Sequence, residues 1–292
     1  MAPSLSPTVR RRRLAVELRR IRGKRTGGEV SRGIGWSPTK ISRAESGHES
    51  IPSAEVEKLL DFYGVEDPLR GRLLDLAEDA TQRGWWEDYA DALTPEYMEF
   101  VGLEAEAVSS LQWQADSIPG LFQTEAYARQ LGIAYQTVVP TTPPGIFDRI
   151  IQVRMRRQER LTHEPVLQLH VVLDEAVLLR RVGDRRVMRA QLERLVEAAD
   201  MPNVDLRVMP LDREIALLGS SFVIMSFGSL STTEATSLGD VVSTESLNTE
   251  LYIWGETDTH LYRLFFQAVA KASLSQIKSR QLIATTIERI WS

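Results

Sequence analysis

The stretch from Gly35 to Gly47, GWSPTKISRAESG, carries the signals of a tight turn followed by a short helix. Gly35 gives the turn the backbone freedom that a change of direction between two crossed helices requires. Ser37 can cap the next helix with its hydroxyl, and Pro38 suits the first helical position, where a backbone N–H has no partner in any case. We therefore expect a helix that begins at Ser37 and closes at Gly47.

The two faces of this helix differ in chemistry. Ile41 and Ala44 lie three residues apart and share one apolar face. Thr39, Lys40 and Arg43 point elsewhere and carry groups suited to phosphates and base edges. An amphipathic core helix with a merely solvated polar face would produce the same pattern, so this window alone leaves both interpretations open.

Charge is distributed unevenly along the 292 residues. Residues 1–50 hold 12 Lys and Arg against 4 Asp and Glu, a balance of +8, whereas the remaining residues hold 23 against 36, a balance of −13. A basic front module indicates a polyanionic partner, and an acidic remainder would not bind nucleic acid broadly. A solvated basic tail would explain Arg10 to Arg13, but not the basic residues spread through predicted helices, which are Arg19, Arg20, Arg22, Lys24, Arg25, Lys40 and Arg43.

Composition excludes several classes of protein. Hydrophobic residues make up 43% of the chain and charged residues 26%, which is ordinary for a folded globular protein of about two domains. No apolar run approaches the roughly 20 residues of a membrane span, and no signal-peptide segment follows the basic N-terminal region, so we expect a cytoplasmic protein without membrane contact. The absence of cysteine excludes disulfides, thiolate metal ligands and a cysteine nucleophile.

Five short helices are predicted within residues 1–80, where helical spacing of apolar residues alternates with capping signals. They run from Thr8 to Lys24, from a cap at Thr26 to about Gly33, from Ser37 to Gly47, from Pro52 to Gly64, and from Asp67 to about Ala80. The second is intrinsically weak because Gly27 and Gly28 lie in its first turn. Neighbouring helices must therefore hold it in place.

Residues 8–79 resemble a Cro/repressor-type (XRE) helix-turn-helix domain. The order of the five helices carries the resemblance, together with Glu29, Gly35-Trp36-Ser37, Lys40-Ile41-Ser42-Arg43 and Glu45-Ser46-Gly47. The resemblance implies that the helix after Ser37 is a recognition helix for double-stranded operator DNA.

In that family the starts of the second helix and of the recognition helix lie at the DNA. By position, the resemblance places Thr26 and Ser37 near backbone phosphates, and it places four residues close to bases: Pro38, Thr39, Lys40 and Arg43. Pro38 stands where relatives often have glutamine, so bidentate recognition of adenine is impossible at this position. Base recognition would then depend on Arg43, Lys40 and the shape of the DNA.

Residues 81–93 form a predicted connector rich in aromatic residues. We expect Trp85 and Trp86 to dock one domain on the other or to shape the mouth of a pocket. Beyond the connector, residues 94–292 alternate predicted helices with predicted strands at Val108–Trp113, Val166–Leu173, Val204–Met209, Ser221–Phe227, Val241–Val242 and Leu251–Trp254. The chain is therefore expected to be multidomain, with an all-α five-helix domain followed by a mixed α/β (α+β) effector domain.

The second domain also carries a resemblance. It resembles the uncharacterised effector domain that follows the helix-turn-helix in actinobacterial WhiJ-like, antitoxin-like regulators. The segments that carry the resemblance are Ile118–Ala128, Arg154–Gln158, Leu173–Leu178 and Pro202–Val204. The resemblance implies a small partner protein encoded nearby. Within the second domain, the sequence also predicts a helix from about Thr124 to Leu131 and a proline-rich exposed loop from Val139 to Gly145. A predicted helix from Phe147 to about Leu161 is dense in arginine, and we expect these arginines to form internal salt links or a protein interface more readily than a DNA contact.

No enzyme motif stands out, and neither a cofactor nor a metal is expected. Of the four histidines, His48 follows the recognition helix, whereas His170 lies in a predicted strand near Asp174 and Glu175. That group is the only candidate acid/base pair, and a structural role is the better interpretation. Asp174 is better explained as a helix N-cap.

Two functional hypotheses follow. The first is a DNA-binding transcriptional regulator, a homodimer on a two-fold operator, whose second domain dimerises and binds the partner protein. The alternative is a one-component regulator whose second domain senses a small molecule, with Trp85, Trp86 and Trp113 lining an apolar pocket.

Overall fold

The computed structural model describes residues 7–47, 50–81, 83–138, 143–213, 219–228, 239–246 and 250–292. By their contacts the described residues form two units. Of the described residues, the first unit takes in those from 7 to 88, Glu99–Glu106 and Gly228, and the second takes in those of Tyr89–Met98, Ala107–Phe227 and Gly239–Ser292. Glu99–Glu106 and Gly228 thus group with the N-terminal helices.

Five α-helices open the chain. They are α1 (Pro7–Arg22), α2 (Gly27–Ile34), α3 (Pro38–Ser46), α4 (Ser53–Tyr63) and α5 (Leu69–Asp79). Gly35 and Gly47 follow α2 and α3 at φ 71° and 70°, in the left-handed region that favours glycine and ends a helix. The predicted order of five helices is confirmed.

The apolar faces of these helices form one core. It contains Leu14, Leu18, Val30, Ile41, Ala44, Ile51, Val56, Leu59, Leu60, Leu73 and Ala77. The weak helix α2 is held by this core through Val30 and by a capping box, in which the Thr26 hydroxyl accepts from the Glu29 N–H and the Glu29 carboxylate accepts from the Thr26 N–H. Gly33 permits close approach to α4, because a Cβ there would lie 2.1 Å from the Phe62 ring.

The four consecutive arginines of α1 are not a solvated tail, and that interpretation is wrong. Arg10 and Arg13 are only 3% and 4% exposed. Arg10 donates to the Asp79 carbonyl at 2.7 Å, Arg13 to the Gly228 carbonyl at 2.6 Å, and Arg12 pairs with the Glu99 carboxylate. These guanidinium groups hold together segments of the first unit that are distant in sequence.

The rest of the chain adds seven α-helices and six strands among the described residues. The helices are α6 (Pro95–Glu106), α7 (Glu125–Val138), α8 (Pro144–Arg157), α9 (Ala176–Leu179), α10 (Arg185–Ala199), α11 (Glu256–Ala272) and α12 (Gln276–Ile290). The strands are β1 (Ser109–Gln114), β2 (Gln168–Asp174), β3 (Val204–Met209), β4 (Phe222–Ser226), β5 (Asp240–Glu245) and β6 (Glu250–Trp254).

The strands form a single mixed sheet in the order β3-β2-β1-β4-β5-β6. Neighbours β1, β2 and β3 are parallel, with helices in the connections that parallel pairing requires, whereas β4, β5 and β6 pair antiparallel. The β3 edge is covered, because the Val208 N–H donates to the Ser279 hydroxyl at 2.9 Å. The predicted mixed α/β second domain is confirmed.

Two predicted boundaries around the proline-rich loop are wrong. Helix α7 continues to Val138 instead of ending near Leu131, and α8 begins at Pro144 instead of Phe147. Gly132 does not end α7 because its lack of a side chain serves a close contact: a Cβ there would lie 2.2 Å from the Phe147 ring of α8. The predicted loop from Val139 to Gly145 lies in part outside the described residues.

A buried glutamine fixes the segment that precedes α7. Gln191 of α10 is fully buried; its amide nitrogen donates to the Phe122 carbonyl at 2.8 Å and its amide oxygen accepts from the Thr124 N–H at 2.7 Å. Gln158 adds donations to the Gly120 and Gln123 carbonyls. The side chains of Gln191 and Gln158 thus supply hydrogen-bond partners for backbone groups of the segment before α7.

Replacing Gln191 with leucine should lower the free energy of unfolding of the second unit by about 2–4 kcal/mol, because two buried backbone groups lose their partners at about 1–3 kcal/mol each. Urea unfolding followed by circular dichroism measures the loss. Gln267→Leu, at an exposed position on α11, is the control and should change stability by less than about 0.5 kcal/mol. Equal stability of the two variants would contradict the role of Gln191.

Candidate nucleic-acid interface

Helix α3 has the caps and faces that its sequence predicts. The Ser37 hydroxyl accepts from the Lys40 N–H at 3.2 Å, and Pro38 occupies the first helical position. Ile41 and Ala44 are buried in the helical core, whereas Thr39 and Arg43 are exposed. The apolar side of α3 is therefore packed in the helical core, and its polar face is exposed.

A polar contact also anchors α3 to α1. Glu45 is buried, and its carboxylate accepts from the Arg22 Nε at 2.7 Å. Arg19 donates to the Glu45 carbonyl at 2.9 Å. The hydrogen bond to Glu45 raises the pKa of Arg22 above its ordinary value, and burial, with the nearby Glu45 charge, raises the pKa of Tyr63 to about 12.

Lys40 is held by two neighbours on the surface of the first unit. Its ammonium pairs with the Glu55 carboxylate of α4 at 2.5 Å and lies 4.3 Å from the centre of the Trp36 ring. Lys40 was predicted to contact a base, and its contacts with Glu55 and Trp36 were not predicted. Trp36 precedes the recognition helix, and Glu55 lies 15 residues after Lys40.

The candidate phosphate contacts Thr26 and Ser37 occupy equivalent places, each as the N-cap of its helix. Helix N-termini favour anionic groups such as phosphates. Hydrogen bonds from the Thr26 backbone and side chain lower the pKa of Glu29. The contacts predicted for Thr26 and Ser37 with phosphates stay predictions.

The candidate tryptophans lie in different surroundings. Trp86 is buried in the first unit beside Gly102, and a Cβ added at Gly102 would lie 3.1 Å from the Trp86 ring. Trp85 is partly exposed. Trp113 is buried in the second unit in a cluster with Val172, Met209, Phe222, Ile224, Val242, Phe266 and Val269. Its ring nitrogen donates to the Gly219 carbonyl at 3.3 Å.

The arginines of α8 make internal contacts, as expected. Arg149 pairs with Asp91 at 2.9 Å, and the buried Arg157 donates to the Tyr97 hydroxyl at 2.7 Å. Arg154 donates to the Gln123 side chain. These contacts lie within the second unit and confirm the prediction of internal links.

His170 does not pair with Asp174. Its Nδ1 lies 3.7 Å from a carboxylate oxygen of Asp205, the residue opposite it on β3. Hydrogen bonds, from His170 first and then Arg207, lower the pKa of Asp205 to about 2. Asp174 instead accepts from the Ala176 N–H at 2.8 Å, but the N-cap of α9 is Glu175, so the predicted N-cap position is wrong by one residue.

The described part of the chain offers no group of three or more His, Asp and Glu residues placed to hold a metal ion. His48 lies outside the described residues. None of the described helices is both long and apolar enough to cross a bilayer.

Glu250 carries an unusual carboxyl group at the start of β6. Burial raises the pKa of Glu250 to about 7, and the charge of Glu245 opposite it on β5 adds to the effect. Hydrogen bonds from Ser243, at 2.6 Å, and Tyr252 act in the other direction. Sequence reasoning missed this residue because its burial depends on the pairing of β5 with β6.

Residues 97–285 match the family model described as Domain of unknown function (DUF5753). The chain belongs to the DUF5753 family. Residues 13–73 of this DUF5753 protein match the model described as Helix-turn-helix domain, which covers α2, α3 and α4. This domain indicates a DNA-binding regulator rather than an enzyme. Searches of curated proteins and of solved structures give no match.

The Glu250 carboxyl predicts a pH dependence of stability. Because its pKa is higher in the folded state than in the unfolded chain, its contribution is present in full below about pH 4.5 and is lost as the pH rises through about 7. The melting temperature of the second unit should therefore fall between pH 5 and pH 8, and Glu250→Gln should remove that part of the fall. Glu288→Gln, at an exposed site, should retain it. Identical pH profiles for both variants would contradict the prediction.

Proposed function

We propose that this DUF5753 protein is a sequence-specific, DNA-binding transcriptional regulator of the XRE type. It acts in the cytoplasm as a homodimer on a two-fold operator. The observation that carries the proposal is α3, which is capped at Ser37, packed through Ile41 and Ala44, and exposed at Thr39 and Arg43. The polar face of α3 has the chemistry of a recognition helix.

The proposed contacts follow from the placement of each residue. Thr26 and Ser37 bind phosphates at the N-termini of α2 and α3, where backbone N–H groups and the helix dipole favour an anion. Bases are contacted by Pro38, Thr39, Lys40 and Arg43. Arg43 carries most of the hydrogen-bonding recognition because its planar guanidinium can bind a guanine edge with two bonds, whereas the Lys40 ammonium must first leave the Glu55 carboxylate.

The DUF5753 domain is proposed to dimerise and to bind a small partner protein encoded nearby, as in WhiJ-like, antitoxin-like regulators. Support comes from its exposed apolar side chains: Leu251 on β6 and Leu261 and Leu264 on α11 are each about half exposed or more. Exposed clusters of large apolar residues are typical of protein interaction sites. A two-fold dimer would match a two-fold operator.

Arg43→Ala should weaken binding to the operator by about 1–3 kcal/mol, roughly 5- to 150-fold, and reduce the preference for one base position. Gel-shift titration against DNA upstream of the gene and against a shuffled sequence measures both effects. Arg189→Ala, which removes an exposed arginine paired with Glu193 on α10, is the charge-matched control and should bind normally. An equal loss on both DNAs would contradict base contact by Arg43.

The same titration tests the function itself. The intact protein should shift the upstream DNA at moderate salt more strongly than the shuffled DNA. The proposal fails if no specific shift occurs with or without the neighbouring small protein.

A small-molecule sensor is the second candidate, and a different observation favours it. Gln112 and Ser110 are buried on the face of β1 that also carries Ser243 across β4 and β5. The Gln112 amide nitrogen donates to the Ser110 hydroxyl at 3.2 Å. Buried polar side chains of this kind are able to bond to a water molecule or to a polar ligand.

The sensor candidate predicts that a protein-free metabolite extract raises the melting temperature of the wild-type chain and not that of Gln112→Leu. The control is Gln267→Leu, at an exposed position. Gln276→Leu is not a suitable control, because the partly exposed Gln276 side chain bonds to backbone carbonyls. Stabilisation by the small partner protein alone would reject the sensor.

A further inference from the structure

The charge of Lys40, one of the base-contact candidates, is paired within the first unit. Its ammonium meets the Glu55 carboxylate at 2.5 Å and lies over the Trp36 ring. The Lys40 side chain is 42% exposed and that of Glu55 29%, so the pair lies at the surface and remains open to an incoming anion. Trp36 is itself packed against the helical core, and its carbonyl accepts from the Ser31 hydroxyl.

The pair changes what a DNA phosphate meets at this point of the surface. An isolated lysine would offer one positive charge to every phosphate, whatever the sequence. Paired with Glu55, the same site has no net charge. To bind DNA, the Lys40 ammonium must leave the carboxylate, and a phosphate oxygen replaces one anionic acceptor with another of similar strength.

A guanine edge differs from a phosphate because its two acceptors in the major groove depend on the sequence, and a good contact to it discriminates against the wrong base by about 1–3 kcal/mol. The Trp36 ring makes a cation–π contact with Lys40 and limits the alternative positions of the lysine stem. Lys40 would then leave Glu55 mainly where a matching base is present.

We propose that Glu55 is a specificity-determining residue of DNA binding: its carboxylate competes with phosphates for Lys40 and so suppresses attachment to DNA of any sequence. This inference rests on the proposed DNA-binding function. It assigns to α4 a role that neither the recognition helix nor its caps supply.

The test compares wild type with Glu55→Gln in the full-length chain. Binding to a site selected by the wild-type protein and to shuffled DNA is measured over a range of salt concentrations. In Glu55→Gln, Lys40 is free to contact phosphates, so the salt slope on shuffled DNA should steepen by about 0.9 for each bound protomer, and binding at about 0.1 M salt should tighten several-fold. Binding to the selected site should tighten less, because Lys40 contributes there already, and the ratio of the two affinities should fall.

Glu57→Gln is the matched control. Glu57 lies on the same helix and is paired with Arg70 at 2.9 Å, so this variant removes an identical charge without releasing Lys40. It should leave the slope on shuffled DNA unchanged. In a Lys40→Gln background, Glu55→Gln should no longer steepen the slope, which separates release of Lys40 from a general gain of positive charge.

Each outcome decides one question. If wild type prefers no sequence, the proposed function fails, and this inference fails with it. If wild type is specific but Glu55→Gln has the wild-type slope and affinity ratio, only the role of Glu55 is overturned. A loss of binding to the selected site alone, with an unchanged melting curve, would show that Glu55 positions Lys40 for the base, which also contradicts competition with phosphates.

Discussion

The ion pair between Glu45 and Arg22 fixes the recognition helix on which the proposed function depends. Glu45 lies on the inner side of α3, and its 2.7 Å bond to Arg22 joins α3 to α1 in a largely buried setting. Removal of one partner from such a pair leaves a buried charge without compensation, so α1 and α3 keep one arrangement. Ile41 and Ala44 add apolar contacts on the same side, and the opposite face of α3 is left for DNA.

The local features of this unit could be predicted because their causes are local. A capping hydroxyl, a proline at the first helical position and a left-handed glycine each act on backbone groups a few residues away, so the bounds of α3 followed from Ser37, Pro38 and Gly47. The capping box at Thr26 has the same short range. The order of the five helices followed from apolar spacing and capping signals and carried the family resemblance, and the helix-turn-helix match over residues 13–73 agrees with that resemblance.

The features that sequence reasoning missed depend on residues far apart. The partners of Arg10, Arg12 and Arg13 lie 69, 87 and 215 residues away, so a run of four arginines gave no sign that it was internal. His170 meets Asp205 only because β2 pairs with β3 in one register, and Gly132 could not be recognised as a site of helix contact before Phe147 was placed beside it. Lys40 was assigned by its position on α3, but the carboxylate that limits its use belongs to α4.

Recognition of a DNA sequence by the exposed face of α3 is measured by selection from a random double-stranded DNA pool with the intact chain. Repeated binding at moderate salt should enrich one motif, arranged as two half-sites about one helical turn apart, as two recognition helices of a dimer require. Recovered sequences that remain as varied as the starting pool, from a protein that is folded and retains DNA, would contradict the account.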